Sequence, residues 1–461
     1  MIKKNKNIKI HFIGIGGIGM SGIAELMNKI GYTILGSDKS ESENVKRLRD
    51  IGINVKIGHS KNNLKDVNAV VFSSAINQNN PEIIEAKRKQ IPIVSRADML
   101  AELMKNKKSI AIAGSHGKTT TTSLVGNILE SGKLDPTIIN GGIINSLLKN
   151  NKFGKGKWMV VEADESDGTF LKLPHQISII TNLDIEHLDY YKSTKNLFRA
   201  FEKFILNLPF YGVAIVNEDD QNLKKIINKN DTRKIITFSN KNKKSNVYIE
   251  KVIFNNNCSN FKLKFNIPIN NLIGSYSYKI KTIGLHNVFN CTASIIAGLL
   301  AGVNNTQIKN ALKNYIGVKR RFTHLGKLNL SNVYDDYAHH PTEIAATLSG
   351  AKQINKNIIV VFQPHRYSRT KILFNEFLSV LSKIKTLYLL DTYSAGEKKI
   401  KGFESKDIYF KLKKLNKKIF YVGNRNLNKI IYKETNKRNI IIFMGAGSIN
   451  KKASDFMKIN E

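Results

Sequence analysis

The sharpest chemical signal in the chain is the run Gly114-Ser115-His116-Gly117-Lys118-Thr119-Thr120, set between an apolar strand-like segment and a helix-like one. Lys118 can reach the β- and γ-phosphates of ATP, and the Thr119 hydroxyl can hold Mg²⁺. The full phosphate-loop pattern wants a glycine where this chain has Ile112; the nearest glycine is Gly114, so the loop is a shortened one. Two acidic stretches follow strand-like segments further on. One is Glu162-Ala163-Asp164-Glu165-Ser166-Asp167, whose four acids repel each other unless a cation is near. The other runs over residues 181–189 and carries Asp184, Glu186, His187 and Asp189. Oxygen and imidazole donors at strand ends are the ligand types that suit a divalent metal.

A second glycine motif, residues 14–19 (GIGGIG), also follows a strand and opens a helix. Gly14, Gly16, Gly17 and Gly19 permit a tight turn and let backbone N–H groups approach a pyrophosphate. Asp38, 19 residues beyond Gly19, stands where a carboxylate can meet a ribose hydroxyl. That combination suits NAD or the diphosphate half of another nucleotide, so alone it leaves a nicotinamide oxidoreductase open. Arg366 and Arg369 form a third signal, because only 12 of the 73 basic residues are arginine. A guanidinium can grip a carboxylate in a two-bond fork that lysine cannot copy.

The elements that must position these residues read as α/β throughout. Over the first hundred residues short apolar strands alternate with amphipathic helices, which predicts a parallel sheet with right-handed crossovers. Lys107 and Lys108 precede a new strand, which places a boundary there: residues 1–107 form a Rossmann-like domain and residues 108–322 a central domain. Alternating residues near 247–254, 261–265 and 278–282 predict a small antiparallel sheet attached to that domain's parallel one. From about residue 323 the strand-helix pattern restarts, giving a third, independent α/β domain over residues 323–461.

Composition bounds what such a protein can do. The formal charge is +37, but the 61 lysines are spread along all 461 residues with no arginine stripe or aromatic-interleaved patch. Lysine covering solvated faces is the expected role, and no nucleic-acid partner is expected. The longest apolar stretch, residues 293–303, falls far short of the ~20 residues of a membrane span. No secretory signal is evident, and two cysteines, Cys258 and Cys291, make no disulfide framework. A cytoplasmic enzyme is the expectation, with monomer and homodimer both open.

Taken together, residues 14–25 (GIGGIGMSGIAE), 114–122 (GSHGKTTTT), 162–167 (EADESD), 187–190, 208–212 (LPFYG), 284–292 (GLHNVFNCT), 320–322, 335–341 (DDYAHHP), 363–370 (QPHRYSRT) and 445–448 (GAGS) resemble the Mur ligase family. The match stays in order from about residue 8 onward. The opening loop with Met20 and Ser21, and the DDYAHHP and HRYSRT stretches, point to its alanine-adding branch.

The resemblance implies that UDP-N-acetylmuramate, ATP and L-alanine are the substrates, in peptidoglycan precursor synthesis. It places the sugar nucleotide on Gly14, Gly16, Gly17, Gly19, Met20, Ser21, Asp38, Ser73 and Ser74. ATP falls to Gly114, Ser115, His116, Gly117, Lys118, Thr119 and Thr120, with His286, Asn287, Asn290 and Arg321. Mg²⁺ would rest on Thr119, Glu162 and His187, with Lys118, Glu162 and His187 catalytic. Alanine would bind at Tyr337, His339, His365, Arg366 and Arg369, in a third domain that the resemblance makes Rossmann-like. A sister ligase that attaches a preformed peptide is the alternative within the family. Several relatives carry a carbamylated lysine about 14 residues after the metal-binding histidine; here that position is Phe201, with Lys203 two residues on. Ala338 stands where many relatives have glycine.

Overall fold

The computed structural model describes residues 8–73, 75–145, 149–229, 232–255, 258–414, 418–423 and 427–460. The chain divides into two compact units. One comprises residues 1–249, 264–275 and 290–314; the other comprises residues 250–263, 276–289 and 315–461.

The first sheet holds β1 (Lys9–Ile13), β2 (Thr33–Asp38), β3 (Asn54–Ile57), β4 (Ala69–Phe72) and β5 (Ile93–Ser95), in the order β3-β2-β1-β4-β5. All its neighbours are parallel. The crossovers carry α1 (Ile18–Lys29), α2 (Glu43–Asp50), α3 (Pro81–Arg88) and α4 (Arg96–Met104). The ends of β1, β2, β4 and β5 lie in register, with Ile13 opposite both Ser37 and Phe72, and Phe72 opposite Ser95. Glycine loop, Asp38, Ser73 and Arg96 therefore emerge along one sheet edge, the carboxyl edge where open α/β sheets take ligands.

The central sheet has ten strands. These are β6 (Lys108–Ala113), β7 (Thr137–Ile144), β8 (Lys149–Lys152), β9 (Trp158–Glu162), β10 (Ile177–Ile180), β11 (Val213–Asn217), β12 (Lys234–Ser239), β13 (Val247–Asn255), β14 (Cys258–Ile269) and β15 (Leu272–Ile280). Their order is β15-β14-β13-β12-β11-β10-β6-β9-β7-β8. Between them run α5 (Lys118–Ser131), α6 (Leu188–Tyr191), α7 (Thr194–Leu206) and α8 (Gln221–Ile227), followed by α9 (Leu285–Leu300) and α10 (Asn305–Asn314). The strands expected to form a small attached sheet continue the central one, joined to it where β13 pairs parallel to β12. β10 and β11 are buried at every position, as central parallel strands covered on both faces must be.

One cluster of buried side chains joins Phe12, Met27 and Met99 around the first sheet to Phe170, Phe201 and Phe204 beside the second. Phe201 is fully buried, its ring 5.3 Å from that of Phe170, whereas Lys203 is exposed. The place of the relatives' carbamylated lysine is thus filled by core.

The third sheet holds β16 (Thr323–Leu328), β17 (Ser331–Asp336), β18 (Ile358–Phe362), β19 (Thr386–Leu389), β20 (Ile419–Tyr421) and β21 (Ile440–Met444), ordered β16-β17-β21-β18-β19-β20. Only β16 runs antiparallel to its neighbour. It is flanked by α11 (Pro341–Lys352), α12 (Tyr367–Ile372), α13 (Phe374–Leu381), α14 (Ser405–Lys413), α15 (Leu427–Tyr432) and α16 (Ile449–Asn460). No helix among the described residues is long and apolar enough to cross a membrane.

Candidate active site

The phosphate loop is shaped by two glycines in backbone conformations that L side chains rarely adopt, Gly114 at φ +130° and Gly117 at φ +82°. There is also no room for anything larger. A Cβ at 114 would stand 2.2 Å from Thr181 Oγ1, and one at 117 would stand 2.6 Å from Asn290 Oδ1. The segment after β10 braces the loop from outside. Asn182 accepts the His116 N–H at 2.8 Å and donates to the His116 carbonyl at 2.9 Å. Thr181 donates to the same carbonyl, Ser115 Oγ accepts the Asp184 N–H, and the His116 ring lies 2.9 Å from Asp184 Oδ2.

α5 begins at Lys118 with no side-chain cap, and so does α1 after its glycine loop. By contrast α2, α3, α4, α7 and α8 each receive a Ser, Asn or Asp cap, a contact worth ~1 kcal/mol. Uncapped and preceded by glycine loops, these two N-termini present free N–H groups and a positive dipole end, the arrangement that binds phosphate.

Lys118 is folded back into this loop. Its ammonium donates to the carbonyls of Gly114 and Ser115 at 2.6 and 3.3 Å and lies 2.8 Å from Glu165 Oε2. Burial alone would lower its pKa; the carboxylates of Glu165, Asp164 and Glu162 outweigh that and raise it, so the lysine stays charged. Thr119 Oγ1 donates to Glu162 Oε1 at 3.1 Å, and Glu162 Oε2 accepts the Gly141 N–H at 2.7 Å. His187, held at φ +57°, places Nε2 3.6 Å from Glu165 and 3.9 Å from Glu186. Burial works against protonation of this ring, but Glu165 and Glu186 prevail and raise its pKa.

Two donor sets for hard cations result. Thr119 with Glu162 is one, and His187 with Glu165 and Glu186 is the other, its ligand atoms all within 4.8 Å of one another. Oxygen-rich sets of this kind fit Mg²⁺. Glu165, only 2% exposed, touches both Lys118 and His187. Sequence reading noted it in the acidic run without assigning it a role; its signal was the repulsion within that run.

In the N-terminal loop Asp38 braces the backbone. Its Oδ2 accepts the Gly16 N–H at 2.8 Å, while the Ser37 carbonyl accepts the N–H groups of Gly14 and Ile15. Asp38 therefore shapes the glycine loop through one carboxylate oxygen, in addition to the ribose contact expected of it. The N–H groups left for a diphosphate are those of the first turn of α1. Gly16 packs against Asp38 and Val45, a Cβ there meeting each at 2.9 Å. Ser73 stands beside Gly14. Met20 and Ser21, expected to bind ligand, turn buried side chains inward, Met20 into the core and Ser21 toward Arg47. Ser74 lies outside the described residues.

The second unit gathers its own side-chain cluster beyond the ends of β17, β18 and β19. The His339 and His365 rings are 5.9 Å apart, Tyr337 meets His339 edge-on at 5.3 Å, and Arg369 Nη1 is 3.4 Å from His365 Nδ1. Arg366, at φ +69°, donates its N–H to the Tyr393 carbonyl, and Tyr393 stacks on His365. The structure thus brings all five expected residues of this region together, and adds Tyr393. Burial, then the Arg369 charge, pushes the His365 pKa down to about 4; burial, with Arg369 and Arg321 and against Glu343, pushes His339 down to about 3. Arg321 pairs with Glu343 at 3.5 Å and lies over the Tyr337 ring. His286 is driven down to about 4 by burial and by Arg321. Asn287 donates to the Ile283 carbonyl, a local turn contact, while Asn290 belongs to the first unit, against Gly117.

Three family profiles match the chain in succession: "Mur ligase family, catalytic domain" over residues 9–108, "Mur ligase middle domain" over 112–298, and "Mur ligase, glutamate ligase domain" over 320–447. A UDP-N-acetylmuramate–L-alanine ligase of Rickettsia bellii is 44% identical over 462 residues, covering 98% of this chain and 97% of the relative. The crystal structure of the UDP-N-acetylmuramate–alanine ligase of Thermotoga maritima superposes with a TM-score of 0.81 at 30% identity, covering 98% of this chain and 99% of that one. A murein peptide ligase of Psychrobacter arcticus shares the fold, with a TM-score of 0.71 at 23% identity over 98% of both chains.

Proposed function

The chain belongs to the Mur ligase family, and on that premise we propose that it joins L-alanine to the lactyl carboxylate of UDP-N-acetylmuramate at the expense of ATP. The products are UDP-N-acetylmuramoyl-L-alanine, ADP and phosphate, a step of peptidoglycan precursor synthesis. The observation that carries the reading is the pair of uncapped glycine-loop helices, α1 and α5, in one compact unit. One is equipped for a nucleotide diphosphate and the other, with Lys118, for a triphosphate. An oxidoreductase has no use for the second loop. Identity of 44% to alanine-adding relatives supports alanine over a preformed peptide as the second substrate.

The reaction follows from what these residues can do. The lactyl carboxylate attacks the γ-phosphorus, ADP leaves, and an acyl phosphate forms. The alanine amine then attacks the acyl carbon, loses a proton, and phosphate departs from the tetrahedral intermediate. Phosphoryl transfer needs positioning and charge neutralisation more than covalent help. Lys118 is already charged and seated in the loop, so it has only to turn from the Gly114 and Ser115 carbonyls onto the transferring group. Thr119 and Glu162 would hold one Mg²⁺, and His187 with Glu165 and Glu186 a second. Bound there, the ions would offset the negative charge of the phosphates. We assign Tyr337, His339, His365, Arg366 and Arg369 to alanine, with a guanidinium on its carboxylate. His286, Asn287, Asn290 and Arg321 are assigned to ATP. The division into a sugar-nucleotide domain (1–107), an ATP domain (108–322) and an amino-acid domain (323–461) is part of the same proposal, as is a cytoplasmic location.

Phosphate release from ATP tests the reading. With Mg²⁺ and UDP-N-acetylmuramate present, sustained release should require L-alanine and yield the alanyl sugar nucleotide by mass. Release that ignores alanine but responds to a preformed peptide overturns it.

A further inference from the structure

Arg96 stands where a cation is unfavourable without an anion. It is the first residue of α4, and its guanidinium lies over Gly19 in the first turn of α1, Nη1 3.2 Å from where a Cβ would be. Both places are helix N-termini, the positive ends of two dipoles. Yet half-buried Arg96 makes no hydrogen bond or ion pair with any described residue. The acid nearest by sequence, Asp98, is engaged by Ser95 and Lys172. On the other side lies the phosphate-loop region. Arg96 thus sits at the carboxyl edge of the first sheet, within electrostatic reach of Asp164 beyond β9 but paired with no carboxylate among the described residues.

The loop itself sharpens the point. The N–H groups of Gly14, Ile15 and Gly16 are taken by Ser37 and Asp38. A diphosphate at this edge is left with the first turn of α1, too few donors for two phosphates that carry several acceptor oxygens. Arg96 projects over that turn, and the absent side chain at Gly19 is what lets it approach.

We propose that Arg96 is the side-chain clamp for the diphosphate of the sugar nucleotide, gripping phosphate oxygens across the N-terminus of α1. The inference rests on the function proposed above. A fork of two N–H bonds to adjacent oxygens is the geometry that arginine supplies and lysine does not. The clamp also explains why a cation is tolerated at two helix N-termini: the nucleotide brings the countercharge.

Titration calorimetry of the full-length protein tests it, with UDP, UDP-N-acetylglucosamine and UDP-N-acetylmuramate as probes, and an ATP analogue as control. Arg96→Met should raise Kd for all three uridine nucleotides about 10- to 100-fold, the usual loss for hydrogen bonds to a charged group. Affinity for the ATP analogue should stay within about twofold, a difference within the scatter of surface substitutions. Arg96→Lys keeps charge and stem, so it carries the test if Arg96→Met does not fold; it too should bind the three nucleotides more weakly. Unchanged affinity for UDP overturns the proposal. So does weakening confined to UDP-N-acetylmuramate, which would put Arg96 on the lactyl carboxylate. If the wild-type protein binds none of the three, it is the ligase reading of this unit that fails.

Discussion

The Lys118 ammonium lies 2.8 Å from the carboxylate of Glu165, a side chain 2% exposed. The pair sets the resting position of the phosphate-loop lysine and ties it to His187, which shares Glu165 at 3.6 Å. Removing one partner of a buried pair strands the other charge, which costs more than the pair contributes. Lys118→Met should therefore reduce kcat at least about a hundredfold and also lower Tm. The double variant Lys118→Met/Glu165→Gln should recover much of the Tm and none of the activity. Equal Tm values for single and double variants, measured by circular dichroism, would show that Glu165 is not stranded.

At the other loop, Gly16 is closed in by Asp38 and Val45, each 2.9 Å from where a Cβ would stand. Its φ is not in the left-handed region, so the restriction is one of space. Gly16→Val must push Asp38 away from the loop N–H and deform the turn that precedes α1. The KM for the sugar nucleotide should rise at least about tenfold, the scale of a ~1–3 kcal/mol overpacking penalty, while the KM for ATP changes little. Comparable rises in both values would mean that the damage is not local to the diphosphate loop.

Much of this architecture is legible in the sequence because the motifs sit at strand-to-helix junctions. Ile110 to Ala113 and then Lys118 read as strand, loop and helix from apolar run and glycine punctuation alone, and the structure ends β6 at Ala113 and starts α5 at Lys118. Parallel strands covered on both faces, such as β18 and β21, announce themselves as unbroken apolar runs. β8 does not: Lys149–Lys152 is polar and held by its pairing with β7, a long-range contact that no local pattern encodes. β5, three residues long, fails for the same reason. Within the site, Lys118 and Thr119 come from the fixed spacing of the phosphate loop, and Glu162 from the family resemblance of its acidic run. The grip of Asp38 on Gly16 and the approach of Arg96 to Gly19 need the register of the first sheet. Met20 and Ser21 share a motif with the loop glycines, but helix periodicity turns their side chains to the core, so only backbone groups there can face a ligand.

Acidification should unfold the second unit early. His286, His339 and His365 are held near pKa values of about 4, 3 and 4, first by burial and then by neighbouring arginines, with Glu343 and Glu397 opposing. In the unfolded chain each takes its proton near 6.5. Between those values the unfolded state binds more protons, so stability falls as pH drops from about 6.5 toward 4. Asp336 works the other way: burial lifts its pKa to about 6, so its share of stability is lost as pH rises from about 4 to 6. Asp335, also raised by burial, works with Asp336, and Glu397, held below its ordinary value, works with the histidines; three histidines and a glutamate against two aspartates leave a net loss on acidification. Tm should fall steadily from pH 7 to pH 4, and His339→Gln should flatten that slope. A slope unchanged in His339→Gln would mean that this ring is protonated in the fold.

Arg366 offers the cleanest separation of substrates. Its backbone is held at φ +69°, with its N–H on the Tyr393 carbonyl and its side chain beside Glu397 and His365. A lysine accepts the same helix-start position and keeps the charge, so Arg366→Lys should fold normally. What it loses is the planar fork, which matters only if a carboxylate is bound in two places at once. The KM for L-alanine should then rise about tenfold or more, one charged hydrogen bond's worth, with the KM for ATP and for UDP-N-acetylmuramate unchanged. Because the acyl phosphate forms before alanine attacks, the substitution should also leave acyl-phosphate formation intact. A rapid-quench burst of ADP in the absence of alanine should keep its wild-type amplitude and rate. A diminished burst, or a KM for ATP that rises in step with that for alanine, would remove Arg366 from the alanine carboxylate and place its effect on the phosphoryl-transfer half of the reaction.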